Sequence, residues 1–162
     1  MGVAVSGGSD SLALLHYASD WAKRSNRELA VFSVDHQLRA EAANECAFVA
    51  EIATELGWPH RTLIWERSHG AQSQSRARAA RHGLLAEAVR EIGGALYLTG
   101  HTADDQVETF LLRARAGSGP IGLAAARWRA PCPVWPAGRR VSVGRPLLSQ
   151  KRSELQATLI KS

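Results

Sequence analysis

Cysteine is scarce in this sequence, and so are long apolar runs. Only Cys46 and Cys132 occur among the 162 residues, and they form no CxxC pair. This pattern argues against a disulfide framework and against a structural zinc site. No apolar run reaches the ~18 residues that a membrane-spanning helix needs, and the N-terminal sequence MGVAVSGG lacks the regions of a signal peptide. We therefore expect a soluble, cytoplasmic protein with no membrane partner.

Acidic residues are absent from one long segment, residues 109–153. This segment holds nine Lys or Arg, whereas residues 1–108 hold ten Lys or Arg against fourteen Asp or Glu, so the net charge of +5 arises late in the chain. Such a segment favours a polyanionic partner such as nucleic acid, with a solvated basic loop as the alternative. Seventeen of the twenty basic residues are Arg, which suits bidentate contact with phosphate, although a GC-rich genome would also favour Arg.

Hydrophobic periodicity predicts alternating strands and helices over the first 115 residues. Strands are expected at residues 3–5, 28–34, 61–65 and 95–99, and helices from Leu12, after the loop at 6–11, and at residues 41–56, 75–92 and 102–115. Four such units imply right-handed β-α-β connections and a parallel sheet in a three-layer α/β/α fold. A loop at 117–120, a strand at 141–143 and a helix at 149–160 follow. The length and the 45% hydrophobic content fit one domain.

The strongest local motif lies between the first strand and the first helix. It consists of Ser6, Gly7, Gly8, Ser9, Asp10 and Ser11. Two glycines allow a sharp turn and a close approach of a ligand, while successive N–H groups and a helix N-terminus attract an anion. The loop lacks the lysine of a Walker A motif and the GxGxxG of a dinucleotide fold. We interpret it as a phosphate-binding loop, with an ordinary glycine turn and helix cap as the alternative.

A second motif, GHTADDQVET at residues 100–109, follows the fourth predicted strand. Thr102 and Asp105 have the spacing of a capping box, and acidic residues in a first helical turn also complement the helix dipole. In a parallel sheet, however, this junction lies at the same edge as the loop at 6–11. Carboxylates there would hold the Mg²⁺ that neutralises a polyphosphate, which makes Asp10, Asp104 and Asp105 candidate metal ligands.

Together the two junctions resemble the PP-loop (N-type) ATP pyrophosphatases, whose loop SGGxDS stands here as SGGSDS. Further segments are similar to tRNA(Ile)-lysidine synthetases and occur in that family's order. They are VDHQLR at 34–39, ARAARH at 77–82, GHTADDQVET at 100–109, GSGPIGL at 117–123 and RPLL at 145–148. Because this ordered set extends from residue 3 to about residue 155, the resemblance covers nearly the whole chain.

The resemblance implies an ATP-dependent ligase that modifies tRNA. In such enzymes the C2 carbonyl oxygen of the cytidine at the first anticodon position of tRNA(Ile) attacks the α-phosphate of ATP. Pyrophosphate leaves, and the amine of L-lysine then displaces AMP to form lysidine. Carried over, residues 6–11 would hold the pyrophosphate, with Mg²⁺ on Asp10, Asp104 or Asp105. Val34 and His36 would lie against the adenosine.

Catalytic and tRNA-binding roles follow from the same resemblance. The spacing of His101, Asp104, Asp105 and Glu108 predicts one shared helical quadrant. Some of these groups must recognise or deprotonate the lysine ammonium, and their division of roles stays open, as does a purely structural role for His36 or His101. The expected tRNA contacts are Arg78, Arg81, Arg113, Arg115 and Arg145. Trp128 and Trp135 in the basic segment suit base stacking.

The chain stops at Ser162, within the helix that follows RPLL in this family. We therefore expect residues 1–162 to form a single PP-loop ATP-binding catalytic domain, with 109–153 facing the tRNA and the family's C-terminal domains absent. The oligomeric state stays open, a homodimer included. The alternative functions are a tRNA 2-thiolation enzyme, which would typically carry CxxC pairs, and a nucleotide-binding module without catalysis.

Overall fold

The computed structural model describes residues 1–37, 41–65 and 73–159. Its strands are β1 (Gly2–Ala4), β2 (Ala30–Asp35), β3 (His60–Ile64), β4 (Leu96–Thr99), β5 (Arg129–Pro131) and β6 (Ser142–Gly144). Its helices are α1 (Ser9–Arg24), α2 (Glu41–Glu55), α3 (Gln74–Glu91), α4 (Ala103–Arg115), α5 (Pro120–Leu123) and α6 (Arg152–Leu159). No helix of the described ranges is both long and apolar enough to cross a membrane.

The six strands form one sheet in the order β3-β2-β1-β4-β6-β5. All neighbouring pairs are parallel except β5 and β6, which are antiparallel. The chain leaves β1 toward β2 and β3 on one side and later returns to place β4 on the other side. Ligands of open α/β sheets bind at such a reversal of strand order, beyond the carboxyl ends of the strands.

Two apolar clusters cover the two faces of the sheet, as the alternation of side chains along a strand requires. One cluster joins Val3, Val31 and Leu98 to residues of α1, α2 and α6, among them Leu14, Val49 and Leu155. The other joins Phe32, Tyr97 and Val143 to Leu85 and Val89 of α3. The predicted three-layer α/β/α architecture is therefore confirmed.

The element boundaries agree with the sequence-based prediction to within about two residues for the four β-α units, except that α1 begins at Ser9, within the predicted loop at 6–11. The later part of the chain differs more. The loop expected at 117–120 gives way at Pro120 to the short helix α5, and the last helix begins at Arg152 rather than at residue 149. The edge strand β5 was not predicted, because a three-residue strand containing a proline carries almost no periodic signal. Leu38, Arg39 and Ile160, which belong to predicted motifs or elements, lie outside the described residues.

Candidate functional site

The loop between β1 and α1 is fixed by bonds within itself. Gly7 has a φ of 84°, a conformation that residues with a Cβ rarely adopt. The Ser6 N–H donates to Oγ of Ser11 at 3.2 Å, and this hydroxyl donates to the carbonyl of Gly8 at 2.8 Å. Gly8 is the N-cap of α1 and offers no side-chain hydrogen bond to the first turn. The loop thus has a defined shape and a helix N-terminus available to an anion.

The junction after β4 packs directly against this loop. Thr99 pairs in register with Ala4 of β1, so the two strand ends lie side by side. A Cβ added to Gly100 would lie 3.0 Å from the carbonyl oxygen of Asp10 and from Cα of Ser11. Glycine is therefore required here by close approach of the backbone. The sequence-based expectation that both motifs meet at one sheet edge is confirmed.

The cap of α4 has the predicted form. The Thr102 hydroxyl accepts from the Asp105 N–H, and the Asp105 carboxylate accepts from the Thr102 N–H at 2.7 Å. This capping box occupies Oδ2 of Asp105 and leaves Oδ1 for other partners. His101 precedes the cap and lies outside the helix, so the predicted helical quadrant is correct only for the three carboxylates.

A cavity of about 510 Å³ opens at the carboxyl ends of β1, β2 and β4. Such a volume is typical of small-molecule sites. Of the predicted site residues it is lined by Ser6, Gly8, Ser9, Asp10, Ser11, Val34, His36, His101 and Asp105. Gly7 shapes the loop without lining the cavity. The predicted ATP-binding residues are thus assembled around one space, which we call the first cavity.

Arg152, the first residue of α6, was missed by the sequence-based prediction. Its Nε lies 2.9 Å from Oδ2 of Asp10, and its Nη2 lies 3.1 Å from Oδ1 of Asp105. Its Nη1 lies 3.7 Å from Oε1 of Glu108, and its backbone N–H donates to Oδ2 of Asp104 at 2.8 Å. The hydrogen bond and the charge of Asp10 raise the pKa of Arg152. Three of the predicted carboxylates, those of Asp10, Asp105 and Glu108, therefore converge on one guanidinium at the rim of the first cavity, and Asp104 accepts from the backbone of the same residue.

The carboxylates around Arg152 include the predicted metal ligands, so their arrangement bears on how a metal ion would bind. The described ranges contain no group of three or more His, Cys, Asp or Glu side chains that could hold a metal ion. Within these ranges Asp10, Asp104 and Asp105 do not form a three-carboxylate group, and a metal ion on one or two of them stays a prediction. Mg²⁺ typically takes one or two carboxylates and completes its shell with water and substrate phosphates. Asp10, which belongs to the loop itself, fits that type of site.

A second cavity, of about 540 Å³, lies on the other side of α4's first turn. His101 and Asp105 line both cavities. The predicted tRNA-binding residues Arg78, Arg113 and Arg145 line the second one, together with Phe110 and Gln106. Arg81 instead lines the first cavity, and Arg115, exposed at the end of α4, lines neither.

His101 and Asp105 line both cavities, and we call them the wall between the cavities. Positive charge surrounds this wall. Burial, Arg145 and Arg81 lower the pKa of His101 to about 4, with a further contribution from Arg78, whereas Asp105 raises it. Arg145 is 8% exposed, and its Nη1 donates to the carbonyl of Arg127 at 3.2 Å, which fixes it in place. The three arginines place positive charge next to a neutral imidazole, and Arg145 is held there by its bond to Arg127.

The end of the first cavity at His36 is less polar than the end at the loop 6–11 and His101. His36 packs edge-on against Trp65, with ring centroids 5.7 Å apart. Burial and Arg81 lower the pKa of His36, and Asp35 raises it, so the ring is neutral at neutral pH. Phe32 and Cys46 add apolar surface to the lining. This end therefore suits a neutral aromatic group such as a nucleobase.

The basic segment 109–153 presents both of its predicted stacking residues to solvent. Trp128 is 60% exposed and Trp135 is 77% exposed. Large aromatic side chains at such exposure offer faces for a ligand, and base stacking on them stays a prediction.

Comparisons with known proteins agree with this geometry. The profile of the family described as PP-loop domain matches residues 1–162. A protein of Hyphomonas neptunium called tRNA(Ile)-lysidine synthase is 50% identical over 159 residues, which cover 98% of this chain and 43% of that protein. One of the same name from Rhodopseudomonas palustris is 45% identical, over 99% of this chain and 45% of that protein. The chain thus spans less than half the length of these curated relatives.

Among solved structures, the fold is similar to that of the U34-tRNA thiolase NcsA from Methanococcus maripaludis. The TM-score is 0.77 over 99% of this chain and 55% of that chain, at 16% identity. This similarity concerns the fold alone. The family profile and the relatives in sequence confirm the resemblance found in the motifs, and the chain belongs to the PP-loop domain family, whose membership implies ATP binding.

Proposed function

We propose that this domain is the ATP-binding catalytic part of a tRNA(Ile)-lysidine synthetase. It would adenylate C2 of the first-anticodon-position cytidine and couple L-lysine there, releasing pyrophosphate and AMP in the cytoplasm. The observation that carries the proposal is the pair of cavities that share His101 and Asp105. One cavity has a phosphate-binding loop, and the other has arginines and an aromatic side chain. The names of the curated relatives support the same reaction.

ATP would occupy the first cavity. Its triphosphate would lie on Ser6–Ser11, where N–H groups and hydroxyls face an anion, and its adenine would lie between Val34 and His36. Asp10 would hold Mg²⁺, which neutralises charge on the departing pyrophosphate when it is bound. This placement brings the α-phosphate toward His101 and Arg81, at the wall between the cavities.

The cytidine would enter the second cavity. A base can reach such a site only when it is turned out of the anticodon stack, and Phe110 offers a surface for it. Arg78, Arg113 and Arg145 would contact its phosphates or the negative charge that develops at the α-phosphate. The carbonyl oxygen and the α-phosphate then approach each other from opposite sides of the wall.

Lysine would use the carboxylates that hold Arg152. Asp105 and Glu108 already accept a cationic side chain at 3.1 Å and 3.7 Å, so the chemistry of an ammonium group suits them. An amine attacks only in its neutral form, and these carboxylates would hold the lysine nitrogen in place for the loss of its proton to a base. Displacement of Arg152 from this cluster is therefore part of the proposal.

The rest of the tRNA would lie along residues 109–153. Nine Lys or Arg and no acid in this segment supply the charge that a polyanion requires. Arg115 and the exposed Trp128 and Trp135 lie outside the cavities and would contact nucleotides next to the target base.

The test joins residues 1–162 to the remaining portion of the Hyphomonas neptunium relative and supplies ATP, labelled lysine and tRNA(Ile). Label should enter tRNA with cytidine at the first anticodon position and should not enter the matched tRNA with uridine there. The unmodified relative serves as the positive control, and circular dichroism verifies that the chimera is folded. A folded chimera that binds ATP but transfers no lysine, or that transfers sulfur instead, would refute the assignment.

A further inference from the structure

Among the described residues, the imidazole of His101 has a hydrogen-bond partner at one nitrogen only. Its Nδ1 lies 2.8 Å from Oγ1 of Thr99, the last residue of β4. Because the ring lines both cavities, Nε2 is the nitrogen left to interact with a substrate. The chemistry available there depends on which nitrogen carries the proton.

Thr99 has a second partner that bears on this point. It is 7% exposed, and its Oγ1 also lies 3.4 Å from the carbonyl oxygen of Gly144 on β6. A carbonyl oxygen only accepts hydrogen bonds, and a threonine hydroxyl has one proton to donate. Both bonds can coexist only if Oγ1 donates to Gly144 and accepts from Nδ1–H of His101. In that arrangement Nε2 carries a lone pair.

We propose that Thr99 is a positioning residue that holds His101 in the Nδ1–H tautomer, so that Nε2 acts as the base that receives a proton from the attacking lysine amine. The role in the reaction rests on the function proposed above, whereas the tautomer rests on the geometry alone. Carbonyl or hydroxyl partners on one imidazole nitrogen commonly set the role of the other in this way.

In the second half-reaction, lysine replaces AMP at C2 of the cytidine. The lysine nitrogen forms a bond to C2, and the bond between C2 and the oxygen of the adenylate breaks. AMP leaves with the electron pair of that bond, and the proton lost from the lysine nitrogen passes to Nε2. An Nε2–H tautomer has no lone pair at this position and could not accept it.

The charged groups that face His101 are Arg78 and Arg81 from α3, Arg145 after β6, and Asp105 from α4. Burial and the arginines lower the pKa of His101, so they favour the neutral ring and keep Nε2 unprotonated in the free protein. A phosphate bound among them would offset their charge and move the pKa of His101 back toward its ordinary value, which strengthens the base when substrate is present.

Nuclear magnetic resonance of the ¹⁵N-histidine-labelled chain tests the tautomer without any reaction. The His101 signals are assigned by their loss in His101→Gln. We expect Nδ1 protonated and Nε2 unprotonated in the wild type, the same pattern in Thr99→Ser, and a shift toward Nε2–H in Thr99→Val. An Nε2–H tautomer in the wild type, or a pattern in Thr99→Val identical to the wild type, would overturn the proposal.

A kinetic comparison in the full-length chimera tests the role. Thr99→Val should slow lysine transfer on the order of a hundredfold, with little change in the KM for ATP, and Thr99→Ser should restore most of the rate. Equal loss in both variants would indicate a packing role and contradict the proposal. If the tautomer is as expected but the wild type transfers no lysine, the proposed function fails while the tautomer assignment stands.

Discussion

The guanidinium of Arg152 lies against the carboxylate of Asp10, with Nε and Oδ2 2.9 Å apart, although 142 residues separate them in the chain. This ion pair links α6 to the end of the loop at 6–11 across the rim of the first cavity. It places a cation where both a metal ion and the lysine ammonium are proposed to bind. Cation binding and the position of Arg152 should therefore be coupled.

Replacing Arg152 tests this coupling. Arg152→Gln removes the cation that competes for Asp10 and Asp105, so the affinity for Mn²⁺, used as a probe for Mg²⁺, should increase. The side chain is 40% exposed, and exposed ion pairs contribute up to about 1 kcal/mol, which corresponds to roughly fivefold. Isothermal titration calorimetry of the nucleotide-free chain measures the change. Arg24→Gln, an exposed arginine in the last turn of α1, is the control, and equal or weaker binding in Arg152→Gln would contradict the account.

The backbone of the phosphate-binding loop gives a second prediction. Gly7→Ala places a Cβ at a φ of 84° and should cost about 1 kcal/mol of stability. It should also weaken ATP binding about tenfold, because the loop N–H groups turn away from the phosphates. Gly57→Ala is a matched control, with a φ of 81° and open space around it. It should lower the melting temperature similarly and leave ATP binding unchanged. Equal ATP affinities in the two variants would argue against the loop assignment.

The buried imidazole of His82 should make the free energy of unfolding depend on pH. It is 1% exposed, its Nδ1 contacts the hydroxyl of Tyr97 at 2.5 Å, and its Nε2 has no partner among the described residues. Burial, followed by Arg81 and Arg78, lowers its pKa to about 4. The unfolded state, with a histidine pKa near 6.5, binds the proton more readily. Stability is therefore retained above about pH 6.5 and lost as the pH falls toward 4, by about 3 kcal/mol in total.

Urea unfolding at pH 7.5 and at pH 5 measures this loss. In His82→Asn the difference between the two pH values should shrink, because the variant lacks the titrating group, even if its stability at pH 7.5 is lower. An unchanged difference would show that other groups, such as His101, account for the dependence.

Glu108 offers a prediction specific to lysine. It is the most exposed member of the carboxylate cluster, lining neither cavity but contacting Arg152 at 3.7 Å. Glu108→Gln should raise the KM for lysine by roughly fivefold through the loss of an exposed charge contact, with the KM for ATP unaffected. Glu51→Gln on the outer face of α2 is the control. A parallel rise in the KM for ATP would place Glu108 at the nucleotide instead.

Local patterns explain which features the sequence could predict. The capping of α4 depends on Thr102 and Asp105, three residues apart, and the loop at 6–11 depends on neighbouring glycines and serines, so both were predicted correctly. The burial of Arg145 and the ion pairs of Arg152 depend on contacts between distant elements. No spacing within the sequence encodes them. Lys151 and Arg152 stand side by side after RPLL and Ser149-Gln150, and nothing local distinguishes Arg152 from Lys151.

The most direct test of the account follows one oxygen atom. The tRNA is prepared with ¹⁸O at the C2 carbonyl of the first-anticodon-position cytidine. The full-length chimera then performs a single turnover with ATP and lysine, and the products are analysed by mass spectrometry. If the cytidine in the second cavity attacks the α-phosphate in the first, AMP should carry the ¹⁸O and pyrophosphate should carry none. Retention of ¹⁸O in the lysine-bearing tRNA, or its appearance in pyrophosphate, would contradict the arrangement of the two substrates across His101.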